Sequence, residues 1–190
     1  FGASTFVWAN TIATVLVALA GGYWLGGRLA DRRPTLTTLC GLIAVAAVLL
    51  AVVPFVASPL LGAATSALAS VSAGAFVGSL LGVLCLIFVP VALLGAVAPF
   101  ALRLSVASVE EAGRVSGHLY AISTVGSLFG TFLAALLLIP LVGTRHTFLV
   151  FSLSLGLLAL LGLPRRFVVV PLAIAALLLV SPRPLMGRWG

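Results

Sequence analysis

An all-α fold, a polytopic transmembrane helical bundle of five full spans plus a short sixth hydrophobic element, is what this sequence predicts, on three observations. The 190 residues are 63% hydrophobic and 7% charged, with mean hydropathy +1.36, far from the roughly 45–50% apolar and ~25% charged usage of soluble domains. The apolar residues fall into runs close to the ~20 residues that one crossing takes. The charges, ten arginines with no lysine, and Asp31, Glu110 and Glu111, lie in short clusters between those runs. Residues 1–190 therefore read as a single transmembrane helical domain.

The first span runs from Ala3 to Leu25 and closes on Gly21, Gly22, Gly26 and Gly27 before the hydrophilic stretch from Arg28 to Pro34, which reads as a tight turn. Leu36 to Val56 is the second, ended by Pro54 and Ser58-Pro59, because proline removes backbone donors. Leu60 to Ala73 is rich in Ala, Ser, Thr and Gly without a charge and reads as an interfacial or loosely helical connection. Phe76 to Leu102 is the third span, with kinks expected at Pro90 and Pro99. Arg103 to Ser116 forms a charged connection. His118 to Leu141 is the fourth span and Thr147 to Leu163 the fifth, joined by the short link from Val142 to His146. Phe167 to Val180 holds Pro171 and falls below the ~17 residues usually needed to cross, so it is expected to dip in.

Positive connections stay on the cytoplasmic side. Placing Arg28, Arg32, Arg33, Arg103, Arg114, Arg165 and Arg166 there puts the turn from Gly27 to Pro34 inside and Arg145 outside; Arg183 and Arg188 join the inner set if the last run does not span. The charge of +7 thus reads as a topology signal, and no nucleic-acid partner is expected. The shortage of acids excludes an ordinary carboxylate-rich metal or polycation site. Cys40 and Cys85, without CxxC spacing or a histidine at a ligand interval, give neither a disulfide nor a zinc site. No catalytic residue, metal site or cofactor site is predicted. No basic stretch precedes the first apolar run, so no cleavable signal peptide is expected, and the chain starts as if cut.

Small residues at four-residue spacing let membrane helices approach. They occur at Gly22 and Gly26, at Gly74, Gly78 and Gly82, at Gly113 and Gly117, and at Gly126, Gly130 and Ala134, so other membrane helices or subunits and the lipid bilayer are the expected partners. Around Arg28, Asp31, Arg32 and Arg33 an acid stands among bases at a helix end. Such a group can lock adjacent helix ends and break when helices rearrange, or serve only as a static, topology-setting turn. His118, Tyr120, Ser123 and Thr124 put polar groups at the start of a small-residue helix, and Asn10 is the strongly polar mid-span side chain. Together they form a possible polar path, or hydroxyls bonded back to their own helix and a helix-to-helix amide contact. No Asp, Glu, Lys or Arg lies in mid-span, which counts against proton-coupled transport. Trp8, Tyr23 and Trp24 lie near span ends as interfacial anchors.

Several of these segments, taken in order, resemble the membrane part of spermidine synthase-like integral membrane proteins, often described as fused transporter and spermidine synthase. They are Phe1 to Trp8, Gly22 to Pro34, Pro99-Phe100 before Arg103, Gly117 to Ala121 with Ser123-Thr124, and Leu138 to Arg145. The resemblance implies a further helix before Phe1, a soluble aminopropyltransferase-like module of Rossmann type after the last helix, and a bacterial or archaeal inner-membrane location. The family's adenosyl-cofactor glycine loop and diamine-holding acids have no match here, so no catalytic position carries over. The stretch from Gly27 to Arg33 is also similar to the cytoplasmic motif of major facilitator transporters, where Asp31 and Arg32 would belong to a gating charge relay and the chain to one six-helix half.

Overall fold

The computed structural model describes residues 2–67 and 74–180. Every element among them is helical: α1 (Gly2–Arg32), α2 (Leu36–Ala67), α3 (Gly74–Gly95), α4 (Val97–Ser105), α5 (Ala112–Phe132), a π-helical turn (Leu133–Leu138), α6 (Ile139–Ala159), a 3₁₀ turn (Arg165–Val168) and α7 (Val169–Val180). In hydrocarbon each backbone N–H and C=O needs a partner within its own segment, which leaves the helix as the form such apolar runs take. Four helical stretches are long and apolar enough to cross a membrane: Val7–Arg32, Leu36–Ala57, Leu80–Ser105 and Ala112–Ala159. The chain is thus a helical integral membrane protein.

One face of α1 is built for close approach. Asn10, Thr14, Ala18, Gly22, Gly26 and Ala30, each one turn from the next, are all buried, while Trp8, Leu16, Val17 and Trp24 on the other faces are exposed. This stripe lies on α3 and α4. A Cβ added at Gly22 would overlap the Ala92 carbonyl oxygen, and one at Gly26 would sit 2.5 Å from the Ala96 Cα. Partner numbers rise together, so α1 and α3 run parallel and in direct contact, while α2 packs on α3.

The expected break at Pro54 and Pro59 is absent, since α2 continues through both to Ala67. Membrane helices tolerate proline where neighbours, side chains or local adjustments satisfy the freed carbonyls. The rest of the connection predicted from Leu60 to Ala73, residues 68–73, lies outside the described residues. Glycines 26 and 27 are likewise helical, and the turn shrinks to Arg33-Pro34-Thr35, closed by the Arg33 amide donating to the Leu29 carbonyl at 2.9 Å. The third span does divide, at Ala96 between α3 and α4. Pro99 has no N–H to give the carbonyl four residues back, at Gly95, so the ladder lapses there.

The stretch 112–159 bends at Gly143, whose φ of 79° and ψ of 165° suit only glycine. Two limbs result. The second, 144–159, descends along α2: Arg145 lies over the Phe55 ring, the Ser152 hydroxyl donates to the Ala47 carbonyl, and Gly162 beyond it meets Cys40 and Leu36. Its core holds Ala47, Ala51, Leu149 and Ile174, with α7 entering through Ile174 and Pro171, the latter against Gly156. The first limb, 112–142, stands apart. Its α5 begins beside α4 and has no buried residue, and neither α5 nor the π-helical turn packs on α1, α2 or α3 among the described residues.

Candidate functional site

Charge gathers at one end of the bundle, around the turn Arg33-Pro34-Thr35. Asp31 and Arg103, at the last turns of α1 and α4, approach to 3.4 Å and tie these helix ends together. Both side chains are exposed, so the tie is an interfacial one. Around them Ala30, in the last turn of α1, packs with Leu39 and Phe100, which joins the start of α2 and the middle of α4 beneath the pair. Arg114 bonds Glu111 one turn away at 3.3 Å, and Gly162, ahead of Arg165 and Arg166, rests on Leu36 at the same end.

The four residues of the helix-end motif separate into different roles. Asp31 reaches across to α4. Arg28 stacks on Trp24 with its guanidinium 4.2 Å from the ring centroid, an interfacial cation–π contact on its own helix. Arg32 and Arg33 are exposed and make no ion pair among the described residues. Arg103, the partner of Asp31, was legible in the sequence only as a topology charge. Its signal is position: it ends the third span at the same membrane face as the turn.

The residues read as a polar path do not meet. Asn10 is buried on α1, whereas His118, Tyr120, Ser123 and Thr124 are all exposed on the detached limb, and no contact joins α1 to α5 among the described residues. The Thr124 hydroxyl donates to the Tyr120 carbonyl at 2.8 Å, bonding back to its own helix. Shallow hollows lie beside His118: one of about 330 Å³ with Ser105, Arg114 and Leu119 at the α4–α5 junction, the other on the α5 face bearing Ile122, Gly126 and Phe129. Beyond their own local helix backbone, Gly126 and Gly130 have none of the described residues within 4 Å of an added Cβ. Within the loop between α4 and α5, Glu110 is held below the usual carboxylate range by a backbone N–H of its own and by Ser108.

At the opposite end the one arginine among the described residues is Arg145, read from the sequence as part of a short link and as the charge left outside. Its Nε is buried and without a hydrogen-bond partner, as are both ring nitrogens of His146. Thr14, one turn along the stripe from Asn10, also keeps a buried unpartnered hydroxyl. Both cysteines are free, Cys40 buried on α2 and Cys85 exposed on α3, and no group of three or more His, Cys, Asp or Glu side chains among the described residues is placed to hold a metal ion. No family model, curated protein or solved structure matches the chain.

Proposed function

We propose that this chain is the membrane-embedded domain of a spermidine synthase-like protein, anchoring or serving a polyamine aminopropyltransferase-like module, with no catalytic site of its own. The observation that carries the reading is the collection of Asp31, Arg103, Glu111, Arg114 and the Arg165–Arg166 turn at one end of the bundle. That end is cytoplasmic under the positive-inside rule, the side on which a module using a soluble adenosyl donor would work, and it carries two of the segments on which the resemblance rests. In this reading the chain makes five crossings, the last two meeting at Gly143, and α7, about 18 Å long at 1.5 Å per residue, is the short sixth element in a bacterial or archaeal inner membrane.

A facilitator-type half-domain is the second reading, favoured by the Asp31–Arg103 tie, since an exposed ion pair between two helix ends is one that rearranging helices break and remake. A structural subunit within a larger membrane complex is the third, favoured by the uncovered limb 112–142. Intact mass of the polypeptide from its native membrane, with peptides mapped at both ends, separates these. A mass well above 19.3 kDa, with soluble-domain peptides after Gly190 and aminopropyl transfer by the purified protein, supports the first. A second set of about six helices with solute uptake supports the facilitator. A mass near 19.3 kDa with fixed-stoichiometry partners supports the subunit.

A further inference from the structure

On one face of the uncovered limb the chemistry changes in a fixed order along the helix. Two acids, Glu110 and Glu111, stand at its water-facing start. Arg114 follows one turn on, engaged by Glu111 at 3.3 Å through one guanidinium nitrogen. A guanidinium carries five N–H donors, so this pairing uses only part of it. The open hollow of about 330 Å³ at the α4–α5 junction brings Arg114 together with the Ser105 hydroxyl and the His118 imidazole. The second hollow meets the first at His118 and continues along α5 over Ile122, Gly126 and Phe129, where its lining is apolar. Gly126 keeps this groove open, since beyond its own helix backbone an added Cβ would meet none of the described residues within 4 Å. From His118 to Phe129 the helix rises about 16 Å at 1.5 Å per residue, about half of the ~30 Å hydrocarbon core. The groove is thus one leaflet deep.

We infer that this track binds one phospholipid whose headgroup is zwitterionic, with its phosphate in the hollow of Ser105, Arg114 and His118, its ammonium at Glu111 and an acyl chain in the groove. The order of the site, acid then base then apolar surface, is the order of the lipid, ammonium then phosphate then chain. Arg114, the Ser105 hydroxyl and one N–H of a neutral imidazole are all donors, and phosphodiester oxygens accept from each, with the strength that a charged donor and acceptor add. Local charge selects the headgroup. Glu110 and Glu111 outnumber Arg114, while Asp31 and Arg103 on the neighbouring helix ends offset one another. No surplus positive charge is left for a lipid of net charge −1, whereas a zwitterion meets both signs at once.

The test uses the whole chain, delipidated in dodecyl maltoside and titrated with dioleoyl phosphatidylethanolamine or, separately, with dioleoyl phosphatidylglycerol. Because the sequence has only two histidines, ¹⁵N-histidine labelling reports on His118 at the site and on buried His146 as an internal reference. Native mass spectrometry of the same samples counts the lipids bound per chain. The expected result is a saturable shift of the His118 signals with His146 unmoved, one phosphatidylethanolamine per chain, and an affinity about fivefold above that for phosphatidylglycerol. Glu111→Gln should erase that preference, and Arg114→Gln should weaken both lipids about tenfold. Gly126→Leu, which fills the groove, should abolish the saturable response, and Arg33→Gln, exposed at the same end, should leave it unchanged. The inference is overturned if phosphatidylglycerol binds as tightly or more tightly, if neither lipid moves His118, if both histidines move alike, or if the mass shows a second copy of the chain in place of the lipid. Titration of the unaltered protein decides even where a variant does not fold.

Discussion

Gly26→Ala tests the packing of α1 on α3 and α4 by a single methyl group. The new Cβ would lie 2.5 Å from the Ala96 Cα, 2.7 Å from its Cβ and 2.8 Å from its carbonyl oxygen, against the 3.5–4.0 Å at which carbon atoms attract one another. Two of the three are backbone atoms, so no rotamer change relieves the overlap and the helices must part by about 1 Å. Overpacking of that kind costs about 1–3 kcal/mol, and a radial gap of that size forfeits a quarter to a half of each contact's attraction along the seam. Replacing glycine by alanine inside a helix returns up to about 1 kcal/mol, so the net expectation is a loss of about 1–2 kcal/mol. Gly126→Ala is the matched control, because beyond its own local helix backbone its Cβ meets none of the described residues within 4 Å and only the helix-propensity gain remains. Unfolding in mixed micelles of rising dodecyl sulfate fraction, followed by far-ultraviolet circular dichroism, gives both values. The reasoning fails if the two substitutions move stability in the same direction by similar amounts.

Further expectations follow from the other close features. Gly143→Ala forces a side chain into backbone angles that only glycine holds at ease, so it should lower stability by about 1–3 kcal/mol, read by the same dodecyl sulfate unfolding. The Asp31–Arg103 tie joins exposed groups, so a double-mutant cycle of Asp31→Asn with Arg103→Gln should give no more than about 1 kcal/mol, falling further in high salt. Glu110 titrates below its ordinary range, so the order it lends the α4–α5 loop is complete above the usual carboxylate pKa and is lost as pH falls through its lowered one. Ser108→Ala should move that midpoint up toward the ordinary value, as followed by the Glu110 side-chain carboxyl shift in NMR.

The helical membrane class was legible because it depends on composition and run length, which no tertiary contact reverses. So was the gathering of arginines, since charge clusters between apolar runs have only two faces to occupy. Proline misled at Pro54 and Pro59, where the sequence rule for water-soluble helices predicts a stop, while a chain surrounded by hydrocarbon keeps its helix through both residues. The glycine pair Gly22 and Gly26 was visible, but not its counterpart at Ala92, Gly95 and Ala96, because register between two parallel helices is set by tertiary fit and not by either sequence alone. Arg103 was hidden for the same reason. A polar residue's partner lies wherever the fold brings another helix end, and Asn10 and His118, read together as one path, belong to helices that do not touch. Arg145 and His146 looked like an ordinary short link, and only their burial without partners distinguishes them.

The account rests on one geometric claim: the chain reverses at Gly143, leaving Arg145 at one membrane face and the other described basic connections at the opposite one. Single cysteines at Thr35, Ser105, Arg166 and Thr144, placed in a Cys40→Ala, Cys85→Ala background, test it in sealed membrane vesicles of known orientation with a membrane-impermeant maleimide. Thr35→Cys, Ser105→Cys and Arg166→Cys should label from one side only, and Thr144→Cys from the other side only. Labelling of Thr144→Cys from the same side as Thr35→Cys would contradict the reversal, and with it the topology from which the functional reading is built.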